Sequence, residues 1–269
     1  MSPRLGCVKR RLGGRRPMQF ADHFSSRAPD YARFRPSYPP ALLAFLRGST
    51  SRHRLAWDCG AGSGQAAVML AGAFDQVVAT DPSAAQLASA HAHPNVTYRL
   101  GRESTSGLQD SSVDLVTAAQ AAHWFDLPAF YREVDRVIRP GGVVAMWCYD
   151  VMTISPEIDR PLRWLYGERL APYWPDERRL VETGYRTLQF PYAPVAAPAL
   201  SIEASLDRTA LLGYIGTWSA VTRCISMGGG DPVAEFAGMI EEAWPRAEEV
   251  RPVRWPLAVL AGRAGPAPG

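Results

Sequence analysis

The stretch from Leu55 to Gln65, LAWDCGAGSGQ, constrains this chain more than any other. A short apolar run ends at Asp58 and then breaks into glycine at positions 60, 62 and 64. Residues without a Cβ take positive φ readily and let a ligand approach the main chain closely. The pattern predicts a strand that turns sharply into a helix over about Gln65 to Gly72. The free N–H groups and positive dipole end of that helix would face the same place.

Spacing separates the ligand classes such a turn serves. A dinucleotide fingerprint wants G-x-G-x-x-G, whereas here the third glycine comes one residue early and Gln65 stands where the fingerprint needs glycine. A second apolar run, Val77 to Thr80, ends in Asp81, placed at a strand end to take both hydroxyls of a ribose. Together these features favour S-adenosylmethionine over NAD as the expected cofactor.

Downstream, short apolar strands alternate with helices: strand Gln76 to Thr80, helix Ala84 to Ala92, strand Val96 to Leu100, strand Val113 to Ala118, helix Pro128 to Val137, strand Gly142 to Tyr149. That alternation implies an α/β fold with a parallel sheet covered on both faces, and ligands bind such sheets beyond the carboxyl ends of the strands. Pro36 to Pro40 marks a turn before a helix at Ala41 to Arg47. Residues 151–200, rich in Pro, Trp, Tyr and Arg, carry expected helices at Ile158 to Leu170 and Asp176 to Thr183. A plain sheet needs no such stretch, so it reads as a cap over the cleft. A helix from Asp207 to Val221 and a strand from Val253 to Gly262 would complete the sheet.

Composition narrows the class. The chain has 269 residues, of which 47% are hydrophobic, enough for one α/β domain with an insertion. Six of its basic residues (Arg4, Lys9, Arg10, Arg11, Arg15 and Arg16) fall within residues 1–17, which contain no acid. The rest holds 23 basic residues against 26 acidic ones, a net −3, and so has no basic bias toward nucleic acid. The leader reads as disordered; a transit peptide and a translation start at Met18 both remain open. Cys7, Cys59, Cys148 and Cys224 show no metal or disulfide spacing, and Cys59 and Cys148 read as small buried hydrophobes. His91 and His93 read as solvated. No metal, no membrane and a cytoplasmic location are the expectations.

Five motifs carry a family resemblance: FADHFSSRAPDYARFRPSYP at 20–39, DCGAGSG at 58–64, DLVTAAQAAHWFD at 114–126, RPGG at 139–142 and GYIGTWSAV at 213–221. The chain resembles a class I S-adenosylmethionine-dependent methyltransferase over about Met18 to Arg263, and within it the branch around trans-aconitate methyltransferases. The resemblance implies a doubly wound, mainly parallel, seven-stranded Rossmann-like sheet with an α-helical cap insertion. It also implies a single domain over 18–269, with lid helices at 18–50, a cofactor-binding core at 51–150, the cap at 151–200 and the last part of the sheet at 201–269. Asp58 and the backbone of Gly60, Ala61, Gly62 and Gly64 would hold the methionine and ribose parts of the cofactor, Asp81 the ribose hydroxyls, and Pro82 and Ser83 would border the adenine. Relatives carry Ala-Glu at the positions of Glu103 and Ser104, so the acid here stands one residue early, and either Glu103 or Ser104 would meet the adenine of the cofactor. Gln120 would pass the methionine end, and Tyr31, Arg35 and Tyr38 would fold across as a lid.

The residues add a reading of the acceptor side. His123, Trp124 and Phe125 follow a strand end, and aromatic faces attract a sulfonium by about 0.5–2 kcal/mol. Trp174, Arg178, Tyr185, Tyr214, Trp218 and Ser219 are candidate substrate wall. A carboxylate acceptor needs no base, and Arg35 or Arg178 would position it; for a hydroxyl or an acidic carbon, His123 is the candidate base. The expected function is methylation of a small molecule by a monomer or homodimer. The alternatives are a non-methylating protein that binds the same cofactor, cyclase-like enzymes included, and an NAD-dependent oxidoreductase.

Overall fold

The computed structural model describes residues 36–265. Tyr31, Arg35, Cys7 and the leader lie outside the described residues. Helix α1 (Pro40–Ser49) precedes strand β1 (Leu55–Cys59), after which helices and strands alternate through α2 (Gln65–Ala71), β2 (Gln76–Asp81), α3 (Ala84–Ala88) and β3 (Val96–Leu100). The sheet continues with β4 (Val113–Ala119), α4 (Leu127–Val137) and β5 (Ile138–Tyr149). Strands β1 to β5 pair in parallel in the spatial order β3-β2-β1-β4-β5. The reversal of direction between β1 and β4 puts a cleft at the carboxyl ends of those two strands, as in other open α/β sheets.

The central strands β1, β4 and β5 are buried on both faces, their side chains alternating between the two at period two. In β5, Val143, Ala145, Trp147 and Tyr149 face one core, while Val144, Met146 and Cys148 face the other. Trp57 and Phe130 anchor the second core, where α4 packs. Asp126 caps α4 by accepting from the Ala129 N–H, with proline in the first turn. Cys59, Cys148 and Cys224 are buried free thiols.

The far edge departs from the sequence reading. Strand β8 (Arg251–Arg263) runs antiparallel to β5, and its other side pairs with both β6 (Ala193–Pro194) and β7 (Leu200–Leu206). The sheet thus counts eight strands, but β6 and β7 lie end to end along one edge. Between them the register against β8 slips by one residue in a stretch containing Pro198, which has no N–H to give the ladder. The seven expected positions are present, with the last one interrupted. The alternation of Leu200, Ile202, Ala204 and Leu206 with polar residues was a readable strand signal.

Helical segments cover the carboxyl ends of β4 and β5. Helix α5 (Pro156–Trp164) loosens into a π-helical turn at Leu165–Arg169 where a continuous helix was expected; Gly167 sits in this turn. Helix α6 (Arg178–Glu182) follows. The single helix expected from Asp207 to Val221 is two, α7 (Arg208–Gly216) and α8 (Ser219–Ser226). They break because the Thr217 hydroxyl donates back to the Tyr214 carbonyl, 2.6 Å away, and Trp218 is extended. Helix α9 (Pro232–Ile240), capped by Asp231, was not anticipated despite its Asp-Pro start. Helix α3 also stops short of Ala92: its C-cap is Ser89, after which the His91 N–H donates to the Ser63 carbonyl.

Candidate functional site

Asp58 ends β1 fully buried. Its Oδ1 accepts from the Thr117 hydroxyl on the neighbouring strand at 2.8 Å, while Oδ2 has no hydrogen-bond partner. Burial raises the carboxyl to about 7, with Asp81 adding to the effect and the Thr117 bond opposing it. A buried carboxylate oxygen with nothing to accept from suits a cationic donor. Thr117, the residue that orients it, was named in a motif but given no role from sequence.

The three glycines divide their work. All have positive φ, from 55° to 83°. A Cβ on Gly60 would come within 2.6 Å of the Ala121 Cβ, and one on Gly64 would collide with the Tyr98 hydroxyl. At these two positions the missing Cβ therefore makes room for the protein's own side chains. Gly62 alone is open, its nearest neighbour being Gln86 Oε1 at 3.8 Å. The Gly62 N–H donates to Asp81 Oδ2 and the Ser83 N–H to Oδ1, both at 2.8 Å. The loop thus fixes the carboxylate of Asp81 next to the open glycine. Ala61 and Pro82 flank this corner half-buried, and Ser83 is buried as the cap of α3. Glu103 instead accepts from the Asp126 N–H at 3.4 Å, and Ser104 is exposed.

Beyond the ends of β4 and β5 lies a cavity of about 70 Å³ lined by Gln120, His123, Trp124, Tyr149, Asp150, Trp174, Pro175, Arg178, Tyr214, Trp218 and Ser219. The structure therefore gathers onto one cavity eight residues singled out from sequence, drawn from three separate stretches. Gln120 is held in the left-handed region (φ 51°), donates to the Tyr149 carbonyl and leaves its own Oε1 buried without a partner. Arg178 donates to Asp150 and to the Tyr166 hydroxyl, each at 2.6 Å, and stacks on the rings of Tyr166 and Trp174. Burial opposes its charge, but Tyr166 and Asp150 outweigh that and hold its pKa above the ordinary value. Asp150 and Tyr166, which position the guanidinium, had no sequence signal beyond composition.

Tyr185, expected on the wall, is buried behind it, with its hydroxyl 3.0 Å from His123 Nδ1. Burial, and then the charge of Arg178, push the His123 imidazole down to about 3, so at neutral pH it is uncharged and a weak base. Tyr38 packs edge-on against Trp147, and Phe125 packs on Phe130 in the second core.

This geometry agrees with what known proteins show. A family profile described as a methyltransferase domain matches residues 57–146. A protein of Dictyostelium discoideum named as a methyltransferase is 34% identical over 232 residues, covering 85% of this chain and 88% of its own. The chain belongs to the class I S-adenosylmethionine-dependent methyltransferases. A solved structure described as a type II methyltransferase from Anaeromyxobacter dehalogenans is 47% identical, with a TM-score of 0.82 over 87% of this chain and 99% of that one. A Saccharomyces cerevisiae protein named as an S-adenosylmethionine-dependent methyltransferase is 30% identical over 173 residues, 58% of each chain. Among the described residues of this methyltransferase, no cluster of His, Cys, Asp or Glu could hold a metal ion, and no helix is long and apolar enough to cross a membrane.

The donor set fits the family's cofactor. The partnerless Asp58 Oδ2 suits an ammonium, the open Gly62 leaves room at the main chain, and the fixed carboxylate of Asp81 suits vicinal hydroxyls.

Proposed function

We propose that this methyltransferase acts on a small anionic molecule, most simply a carboxylate, consistent with its resemblance to the trans-aconitate branch. The observation that carries the reading is the cavity at the ends of β4 and β5, where Arg178, packed against the paired rings of Tyr166 and Trp174, lies on the wall. No nucleic acid is involved in this reading: the cavity is small and walled in part by Trp124, Trp174 and Trp218, and the chain beyond residue 17 has no basic bias.

In this reading Asp58, the Gly60–Gly64 backbone and Asp81 hold the cofactor, and Gln120 separates it from the acceptor. When bound, the cofactor supplies an electrophilic methyl carbon whose bond to sulfur breaks as the acceptor oxygen forms its own, leaving a neutral thioether and an ester. The protein's part is alignment and exclusion of water. Arg178 orients the anion through Nη1, which makes no hydrogen bond among the described residues, while Asp150 and Tyr166 fix its plane. The aromatic wall keeps water from the reacting centre.

Calorimetry tests this in two stages. S-adenosylhomocysteine should bind wild type with about micromolar affinity, near 8 kcal/mol, and Asp81→Ala should lose it. A panel of di- and tricarboxylates beside hydroxylated analogues is then screened for methyl incorporation by mass spectrometry. Turnover of hydroxyl compounds alone would overturn the carboxylate reading; failure to bind S-adenosylhomocysteine would overturn the assignment of Asp58 and Asp81.

A further inference from the structure

The pairing of His123 with Tyr185 settles which way the imidazole can act. The phenol of Tyr185 is buried, and its only side-chain partner among the described residues is His123 Nδ1. A hydroxyl carries one proton, and a neutral imidazole carries one on either nitrogen. If Nδ1 held that proton, it would donate to the phenol oxygen and leave the Tyr185 O–H buried with no acceptor, at a cost of about 1–3 kcal/mol. With the phenol donating to Nδ1 instead, both groups are satisfied.

Two further observations bear on the arrangement. Tyr185 does not line the cavity and His123 does, so the imidazole stands between the buried phenol and the cavity. Nε2 has no hydrogen bond of its own among the described residues. Gly184 and Tyr185 are also consecutive left-handed residues, with φ of 59° and 62°. That backbone is costly for a tyrosine, by about 1–3 kcal/mol, and persists only where the surroundings hold it. The strain brings the phenol back under the imidazole.

We propose that Tyr185 locks His123 in the Nε2–H tautomer, and that His123 meets the acceptor as a hydrogen-bond donor to an oxygen already ionised, not as the base that ionises it. Tyr185 is then a positioning residue. The proposal rests on reading the cavity as the acceptor site. It also replaces the base role that the sequence suggested for His123, because an imidazole this deeply buried beside Arg178 would not keep a proton taken from substrate. His123 and Arg178 together supply donors, and no proton needs to leave the site.

The test is direct observation of the tautomer in full-length protein labelled with 15N-histidine, by long-range 1H–15N correlation at pH 7 with and without S-adenosylhomocysteine. The His123 signal is assigned by its loss in His123→Gln or, should that variant not fold, by its proximity to the Tyr185 ring. The expected result is an unprotonated Nδ1 and a protonated Nε2, unchanged down to pH 5, with the preference lost in Tyr185→Phe. A protonated Nδ1 in wild type, or an unaltered tautomer in Tyr185→Phe, would overturn the proposal. With trans-aconitate as probe, calorimetry on the S-adenosylhomocysteine complex should find His123→Gln, which keeps an N–H donor, within about threefold of wild type, and His123→Ala at least tenfold weaker. Equal weakening in the two variants would count against the donor role. Absence of trans-aconitate binding to wild type would count against the carboxylate reading, whereas the tautomer decides the His123 proposal whatever binds.

Discussion

Replacing Asp58 by Asn should make the protein's stability less sensitive to alkali. The Asp58 carboxyl rises from 3.8 to about 7 because burial disfavours its charge. The folded state therefore holds this proton more tightly than the unfolded state does. The contribution to stability is complete below about pH 4 and is lost as pH rises toward 7. A rise of about three in pKa, at about 1.36 kcal/mol for each, makes the full loss about 4 kcal/mol. Between pH 5 and pH 8 the folded group covers about two thirds of that range, so wild type should lose about 3 kcal/mol relative to Asp58→Asn over that interval. Any constant cost of the amide, whose N–H₂ would replace the partnerless Oδ2, cancels in this difference. Urea denaturation of both proteins at the two pH values reads it directly. The same ionisation should tighten S-adenosylhomocysteine binding to wild type as pH rises to about 7, with no such trend in Asp58→Asn. A stability gap that stays constant between pH 5 and pH 8 would refute the argument that burial raises the Asp58 carboxyl.

Three further outcomes follow from particular contacts. Gly64→Ala combines a φ of 83° with a collision against Tyr98 and should cost more than about 1 kcal/mol in chemical denaturation, even without ligand; an unchanged midpoint would mean that the Tyr98 packing is misplaced. Gln120→Gly relieves a left-handed backbone but gives up the hydrogen bond to the Tyr149 carbonyl; the two effects, each about 1–3 kcal/mol, should largely offset in a thermal melt, while a turnover assay should show lower methyl transfer. Arg178→Met keeps an apolar stem against Tyr166 and Trp174 but removes the charge that helps depress His123. The imidazole should therefore titrate at a higher pH by NMR, and anionic acceptors should bind at least tenfold more weakly.

Much of this was legible locally. A glycine turn after an apolar run, an acid at the next strand end and short continuous apolar strands are properties of a few neighbouring residues, because strand burial and backbone φ are set locally. These fixed the α/β class, the strand boundaries from β1 to β5 to within a few residues, and the placing of a glycine turn beside the acids Asp58 and Asp81 near the ends of β1 and β2. The aromatic and arginine candidates of the cavity were also named individually from their residue types.

What the sequence could not decide was which side chains share an atom's surroundings. Gly60 and Gly64 look equivalent to Gly62 along the chain, yet Ala121 and Tyr98, 61 and 34 residues further on, fill the space above the first two. Asp58 and Thr117 are 59 residues apart, and His123 and Tyr185 are 62 apart. Their hydrogen bonds set how much charge the first pair tolerates and which nitrogen of the second carries a proton. Arg178 was readable as a cation but not as one already committed to Asp150 and Tyr166. Residue type determined what chemistry was available to this chain; desolvation and hydrogen-bond satisfaction, which depend on what folding brings within about 3 Å, determined which of it can be used.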